Sequence, residues 1–331
     1  MSVHPAHHFR IPSTITRAVA LRRDIPMPTQ DDQLFLITGA TGTTGAETVR
    51  LLLKRGHRVR ALVHREDDRS LMLAAAGAEI AVGDLLDFRD VSAAMRGVSG
   101  AYFCYPIAAG LLDATVTFAQ AATEAGVTSV VNMSQISARR EAASNAARQH
   151  WLAERLLDRT SMLTTHLRPT LFAEWISWWW GRQDNEGVLR LPFGTGRHAP
   201  VAGVDQAHVI AAVLGNPAPH DRQAYPLHGP VEMDHHEIAA SMSRALGIPV
   251  TYEPTEVEEF AAGLASLGKS AHLIQHLSSI AIDYREGIFR GTNNLVEVVG
   301  NRTPLTVEEF VAGHRAAFAR SGSHFVPAKK G

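Results

Sequence analysis

The chain is short of several things, and each shortage excludes something. Its 331 residues include one cysteine, Cys104, so neither an internal disulfide nor a cysteine-built metal site is available. Lysine occurs four times, as Lys54, Lys269, Lys329 and Lys330; the other 28 basic residues are arginine. That scarcity removes lysine from most catalytic roles. No apolar run reaches the ~18 residues of a membrane-spanning helix. Neither sign of charge dominates: the formal net charge is −1, which argues for no nucleic-acid or membrane partner. No acidic residue precedes Asp24. Residues 1–32, rich in arginine, histidine and proline, read as a disordered N-terminal extension; a transit peptide or a start at Met27 are the alternatives. A cytoplasmic location fits the near-absence of cysteine.

What is present is an ordinary globular mixture, 45% hydrophobic and 20% charged. The length is enough for one large domain or a large domain with a smaller one. From residue 34 the pattern alternates strand and helix. Strands are expected at 34–38, 58–64, 78–82, 100–104 and 129–133, and helices at 46–54, 71–76, 90–95 and 111–125. Repeated βα units imply a parallel sheet covered on both faces. Beyond residue 170 the pattern loosens, with helices expected at 206–214, 236–246 and 257–267. The fold class is therefore α/β: a Rossmann-type doubly wound parallel sheet over 33–170, a smaller α+β substrate lobe over 171–322 with some return to the sheet, and a tail over 323–331.

The strongest motif is Thr38-Gly-Ala-Thr-Gly-Thr-Thr-Gly45, which follows the first strand and opens the first helix. Gly39, Gly42 and Gly45 permit a tight turn, close backbone approach to a pyrophosphate, and helix-on-strand packing. The helix N-terminus offers free N–H groups, and Thr41, Thr43 and Thr44 offer hydroxyls. A nicotinamide dinucleotide is the implied cofactor. The second strand ends Val63-His64-Arg65, with no carboxylate to take a ribose 2′-hydroxyl. His64, Arg65 and Arg69 suit a 2′-phosphate, so NADP(H) is favoured over NAD(H), although Glu66-Asp67-Asp68 would reach the ribose if the strand ran two residues further. Asp84 and Leu85, after the third strand, are expected by the adenine, or form a simple turn. Tyr105 and Met133 end the fourth and fifth strands beside the cofactor's path.

These motifs resemble the NmrA-like branch of the atypical short-chain dehydrogenases. The resemblance extends over 34–320 through Gly83-Asp-Leu85, Met133-Ser134, His150-Trp-Leu-Ala-Glu154, Thr165–Pro169, Gly187–Pro192, Leu227–Pro230 and Tyr284–Phe289. It implies NAD(P)H binding and reduction of quinones, azo dyes, imines or activated double bonds. It equally implies an alternative, a non-catalytic NADP(H)-sensing regulatory protein. Ordinary short-chain dehydrogenases use a tyrosine with a lysine four residues on. Here none of Tyr102, Tyr105, Tyr225, Tyr252 and Tyr284 has one, and no lysine lies between Lys54 and Lys269. In the equivalent helix stand His150 and Glu154, four residues apart on one face. Either Glu154 raises the pKa of His150 and makes it a proton donor, or Glu154 makes a structural contact with Arg168. Ser134 and Gln135 can hydrogen-bond an acceptor's oxygen, or cap a helix.

Four of the five tryptophans fall at 175–180, after Phe172. Phe172, Trp175, Trp178 and Trp179 make a wall on which a flat acceptor can stack; a lobe core or a dimer contact is the competing reading. His235 and His236 beside Asp234 point apart at a helix start, so no metal site is expected. A small-molecule substrate is the expected partner, with a homodimer or a regulatory protein partner left open.

Overall fold

The computed structural model describes residues 33–326, and the expected extension over 1–32 and the last five residues lie outside them. Strands β1 (Leu34–Ile37), β2 (Arg58–Val63), β3 (Glu79–Val82), β4 (Gly100–Phe103), β5 (Ser129–Met133) and β6 (Leu163–Pro169) alternate with helices α1 (Thr43–Lys54), α2 (Asp68–Ala75), α3 (Phe88–Ala94), α4 (Leu111–Glu124) and α5 (Asn145–Leu157). The pattern follows from composition. β1, β4 and β5 are buried along their whole length, as strands covered on both faces must be. The intervening helices present one apolar stripe each.

After residue 169 come α6 (Glu174–Trp178), β7 (Trp180–Gln183), β8 (Glu186–Leu191), α7 (Gly203–Gly215), β9 (Gln223–Leu227), α8 (His235–Leu246), β10 (Val250–Pro254), α9 (Val257–Ser266), α10 (Ala271–Arg285), α11 (Leu295–Val298) and α12 (Val307–Gly313). The main sheet has seven strands in the order β3-β2-β1-β4-β5-β6-β9, every pair parallel. A second sheet has the order β10-β8-β7. The return to the main sheet is substantial: β9 completes it, and α7 packs beside α1 on the same face.

Three apolar clusters hold the fold. One lies on the α1/α7 face of the main sheet and one on the α3/α4 face. The third fills the lobe around the fully buried Trp180 and Tyr284. Among the described residues no helix is long and apolar enough to cross a membrane.

The last described segment corrects a sequence expectation. Residues 323–326 form no free tail. Gly322 N donates to Trp180 O at 2.7 Å and His324 N to Trp178 O at 2.9 Å. A Cβ on Gly322 would lie 2.1 Å from Ser177 O, so only glycine lets the strap lie this close.

Candidate active site

The strand order reverses direction between β1 and β4, where an open parallel sheet leaves a crevice at its carboxyl ends. Thr38 clasps the two strand ends: its Oγ1 donates to Cys104 O at 3.1 Å and accepts from Cys104 N at 2.8 Å. Above them opens a cavity of about 670 Å³, within the usual range for small-molecule sites. Gly39, Thr41, Gly42, Thr43 and Thr44 line it together with Trp175 and Trp178 of α6.

The glycine loop is built for close approach. Gly39 has φ +58°. A Cβ on Gly45 would lie 2.2 Å from the Gly39 carbonyl oxygen, which is why the loop folds against the helix only with glycine there. Gly42 caps α1, and the first helical hydrogen bond runs from Ala46 N to Gly42 O. The N–H groups of Thr43, Thr44 and Gly45 therefore have no acceptor inside the helix, and no acid occupies its first turn. Such a cradle fits a dinucleotide's diphosphate. The helix starts three residues before the sequence pattern suggests, because Thr43 to Gly45 carry no apolar signal. The Thr44 hydroxyl is already hydrogen-bonded to the Tyr102 hydroxyl at 2.8 Å.

At the corner beside this loop, Gly83 N donates to Val63 O at 2.9 Å, which brings Asp84 and Leu85 next to His64 and Arg65. Asp84 Oδ1 accepts from Leu86 N in a turn. His64 and Arg65 are exposed and form no ion pair among the described residues. None of His64, Arg65, Asp84, Leu85 or Gly45 lines the cavity, whereas Arg69 does. Arg69 forks onto Asp67 through bonds of 2.6 and 3.1 Å. Asp67 in turn caps α2, so this one carboxylate of the acidic run after β2 is engaged locally. Tyr105 lines the cavity, but its hydroxyl donates to Ala109 O at 3.0 Å.

Beyond β5 the structure brings Met133, Ser134, Gln135 and His150 together on the cavity wall. Of the two alternatives for His150 and Glu154, the contact of Glu154 with Arg168 is the one present. Burial pushes the pKa of His150 down to about 4, outweighing the opposing pull of Glu154, so it is a neutral imidazole rather than an acid poised near neutrality. Glu154, fully buried, is taken by others: Arg168 Nε donates to it at 2.8 Å, a second Arg168 nitrogen bonds its other oxygen, and Ser134 Oγ donates at 2.6 Å. Because the hydroxyl proton of Ser134 is spent on that carboxylate, Ser134 can only accept from a ligand. Gln135 keeps a donor. Its Oε1 accepts from Ser137 Oγ at 2.8 Å, while its buried Nε2, like His150 Nδ1, has no hydrogen-bond partner among the described residues.

Phe172, Trp175, Trp178 and Trp179 all line the cavity. Trp175 and Trp178 stack with centroids 6.1 Å apart, and the His324 ring stacks on Trp178 at 5.6 Å. Trp179 is also core, packed on Phe260 at 5.1 Å. Sequence reasoning missed Leu273, His276, Leu277 and Ile280, the cavity face of α10, as well as Phe289 and His324. The α10 residues were legible in principle: positions 273, 277, 280 and 284 have helical spacing. Nothing local marks His324. His235 is buried against Phe193 and Tyr284, and among the described residues no group of three or more potential ligands could hold a metal ion.

A family model described as the NmrA-like family matches residues 31–287. An NAD(P)H azoreductase of Xenophilus azovorans is 29% identical over 287 residues, covering 86% of this chain and 99% of that protein. Quinone oxidoreductase 2 of Escherichia coli is 25% identical over 279 residues, covering 83% and 96%. Its crystal structure with NADPH superposes with a TM-score of 0.73 at 23% identity, covering 84% and 99%.

Proposed function

The chain belongs to the NmrA-like family, and from that premise we propose that it is an NAD(P)H-dependent oxidoreductase that reduces a flat, conjugated acceptor. The observation that carries this reading is the continuity of one cavity from the glycine loop to the tryptophan wall, which puts a nucleotide and a planar molecule within reach of each other. The relatives' names, an azoreductase and a quinone oxidoreductase, support the same class of reaction.

In this reading Gly39, Thr41, Gly42, Thr43 and Thr44 hold the diphosphate, with Gly45 keeping the loop against α1. Asp84 and Leu85 flank the adenine. Tyr105 and Met133 border the ribose and nicotinamide. Arg65 and His64, free of ion pairs among the described residues, receive a 2′-phosphate, which favours NADP(H). A reduced nicotinamide, when bound, supplies a hydride, that is, a proton with two electrons. The chain's part is then to stack the acceptor on Trp175 and Trp178, to hold its polar atom at Gln135, and to keep bulk water from the reacting face. Orientation of this kind is a large share of catalysis where the acceptor is already electron-poor. Solvent completes the protonation, since His150 carries no proton to give near neutral pH.

The test is oxidation of NADPH and of NADH, followed at the reduced nicotinamide's absorbance band, across a panel of quinones, azo dyes, imines and enones. Turnover faster with NADPH supports the proposal. Tight nucleotide binding with no oxidation by any acceptor refutes it.

A further inference from the structure

His276 lies on the cavity wall, 1% exposed, on a helix absent from the sequence-level site. Its ring is fixed from both sides of the lobe junction. Gln275 Nε2 donates to Ala143 O at 3.0 Å, and Gln275 Oε1 accepts from Asn145 N at 3.0 Å, pinning α10 to the start of α5. Next along the helix, His276 Nδ1 lies 2.8 Å from Ser144 Oγ. Ser144 is fully buried and its Oγ already accepts from Ala147 N at 3.1 Å as the cap of α5.

That capping bond decides the tautomer. If Nδ1 carried the proton, Ser144 Oγ would accept twice and its own buried O–H would have no acceptor among the described residues. If Ser144 donates to Nδ1, its buried hydroxyl and Nδ1 are both satisfied, and the imidazole proton sits on Nε2, for which no acceptor is found among the described residues. Nε2 is not among the side-chain atoms sealed in the interior without a partner, so its proton can meet an acceptor atom in the cavity that His276 lines. Burial and the neighbouring His150 hold the His276 pKa down to about 3, so this donor is a neutral imidazole.

We infer that His276 Nε2–H and the unpartnered Gln135 Nε2, on the wall of one cavity, are neutral donors for a carbonyl oxygen of the acceptor, which points to a quinone or an enone as the substrate class of this site. The inference rests on the reductase reading. As the acceptor's conjugated system gains the hydride, its carbon–oxygen π bond opens and the electron pair moves to the oxygen. His276 and Gln135 hydrogen-bond that developing negative charge, and water supplies the proton that completes the hydroxyl or enol. A neutral imidazole suits the task, because it stabilises the oxyanion without itself giving up a proton.

The first test needs no turnover: the ¹⁵N spectrum of His276, assigned by its disappearance in His276→Gln. The expected form is the Nε2–H tautomer, with a resonance that moves when 1,4-naphthoquinone is added to the NADP⁺ complex. The Nδ1–H tautomer, or a resonance unmoved by the quinone, overturns the inference even if the protein proves to be a reductase. The second test is kinetic. His276→Phe keeps the ring volume and is expected to lower kcat with 1,4-naphthoquinone about a hundredfold, leaving the KM for NADPH unchanged. His276→Gln restores a donor and recovers most of that loss. Equal kcat in wild type and His276→Phe also overturns it. Absence of turnover in the wild type refutes the reductase reading instead, and the spectrum then decides the fate of the donor pair alone.

Discussion

Ser134 Oγ donates to the Glu154 carboxylate at 2.6 Å, and this one contact turns a serine on the cavity wall from a hydrogen-bond donor into an acceptor. Ser134→Ala is therefore expected to change kcat by less than about threefold while lowering stability by about 1–2 kcal/mol, the cost of a buried carboxylate losing one donor. Glu154→Gln, which leaves Arg168 without its charge partner, is expected to cost more, about 3 kcal/mol. Urea unfolding of the two variants, alongside turnover, checks both. A hundredfold fall in kcat for Ser134→Ala at unchanged stability would return the serine to catalysis.

Buried histidines set an acid limit on stability. His150 titrates at about 4, and His235 and His276 at about 3, each lowered first by burial. The unfolded chain takes up these protons below about 6.5, whereas the folded chain resists them until near 4. Their stabilising effect is thus complete above about pH 6.5 and is lost as the pH falls through that window. The urea midpoint is expected to drop between pH 7 and 4.5. At saturating NADPH, kcat is expected to show no titration of His150 over pH 5 to 8; a change in kcat near about pH 6.5 that is lost in His150→Phe would contradict its neutral assignment.

The glycine loop tolerates no methyl group at its third glycine. Gly45→Ala places a Cβ 2.2 Å from the Gly39 carbonyl oxygen. It is expected to weaken nucleotide binding at least tenfold and to lower the melting temperature by several degrees. Nucleotide titration by fluorescence and calorimetry measure the two effects, and wild-type affinity in the variant would mean that the loop does not hold the diphosphate.

Arg65, exposed and without an ion pair among the described residues, is the side chain proposed to discriminate between the two nucleotides. Arg65→Ala is expected to weaken NADPH about ten- to a hundredfold, as loss of one charged hydrogen bond does, and to leave NADH unchanged. An equal effect on both nucleotides would assign the 2′-phosphate to other residues.

The strap that carries His324 closes the aromatic end of the cavity. Gly322→Val forces a side chain against Ser177 O, only 2.1 Å from the Cβ position, and displaces the ring stacked on Trp178. The KM for a flat acceptor is expected to rise several-fold with nucleotide affinity unchanged. A change in nucleotide affinity alone would mean that the strap serves the other end of the site.

The residues legible in the sequence are those whose role is set by their neighbours in the chain. Gly39, Gly42 and Gly45 declare a loop because strand, turn and helix are contiguous there, and β1 and β4 declare themselves by apolar runs between turns, β2, β3 and β5 by apolar residues around a few polar ones. His150 and Glu154 are correctly placed on one helix face, yet their chemistry depends on Arg168 and Ser134, which arrive from other strands. Helix α10 carries an apolar stripe legible in its spacing, but nothing local to it shows that Leu273, His276, Leu277 and Ile280 face the cavity. His324 is invisible locally: its position comes from Gly322 meeting Trp178 and Trp180 across more than a hundred residues.

The central claim is that one cavity holds nucleotide and acceptor together. It is tested most directly by anaerobic fluorescence of the full chain, with tryptophan excited and nicotinamide emission recorded, first on adding one equivalent of NADPH and then one of 1,4-naphthoquinone. Trp175 and Trp178 line the same cavity as the glycine loop, so the first addition is expected to give sensitised emission and the second to abolish it, with one NADPH consumed per quinone. Emission that appears with NADPH and survives the quinone would contradict the account.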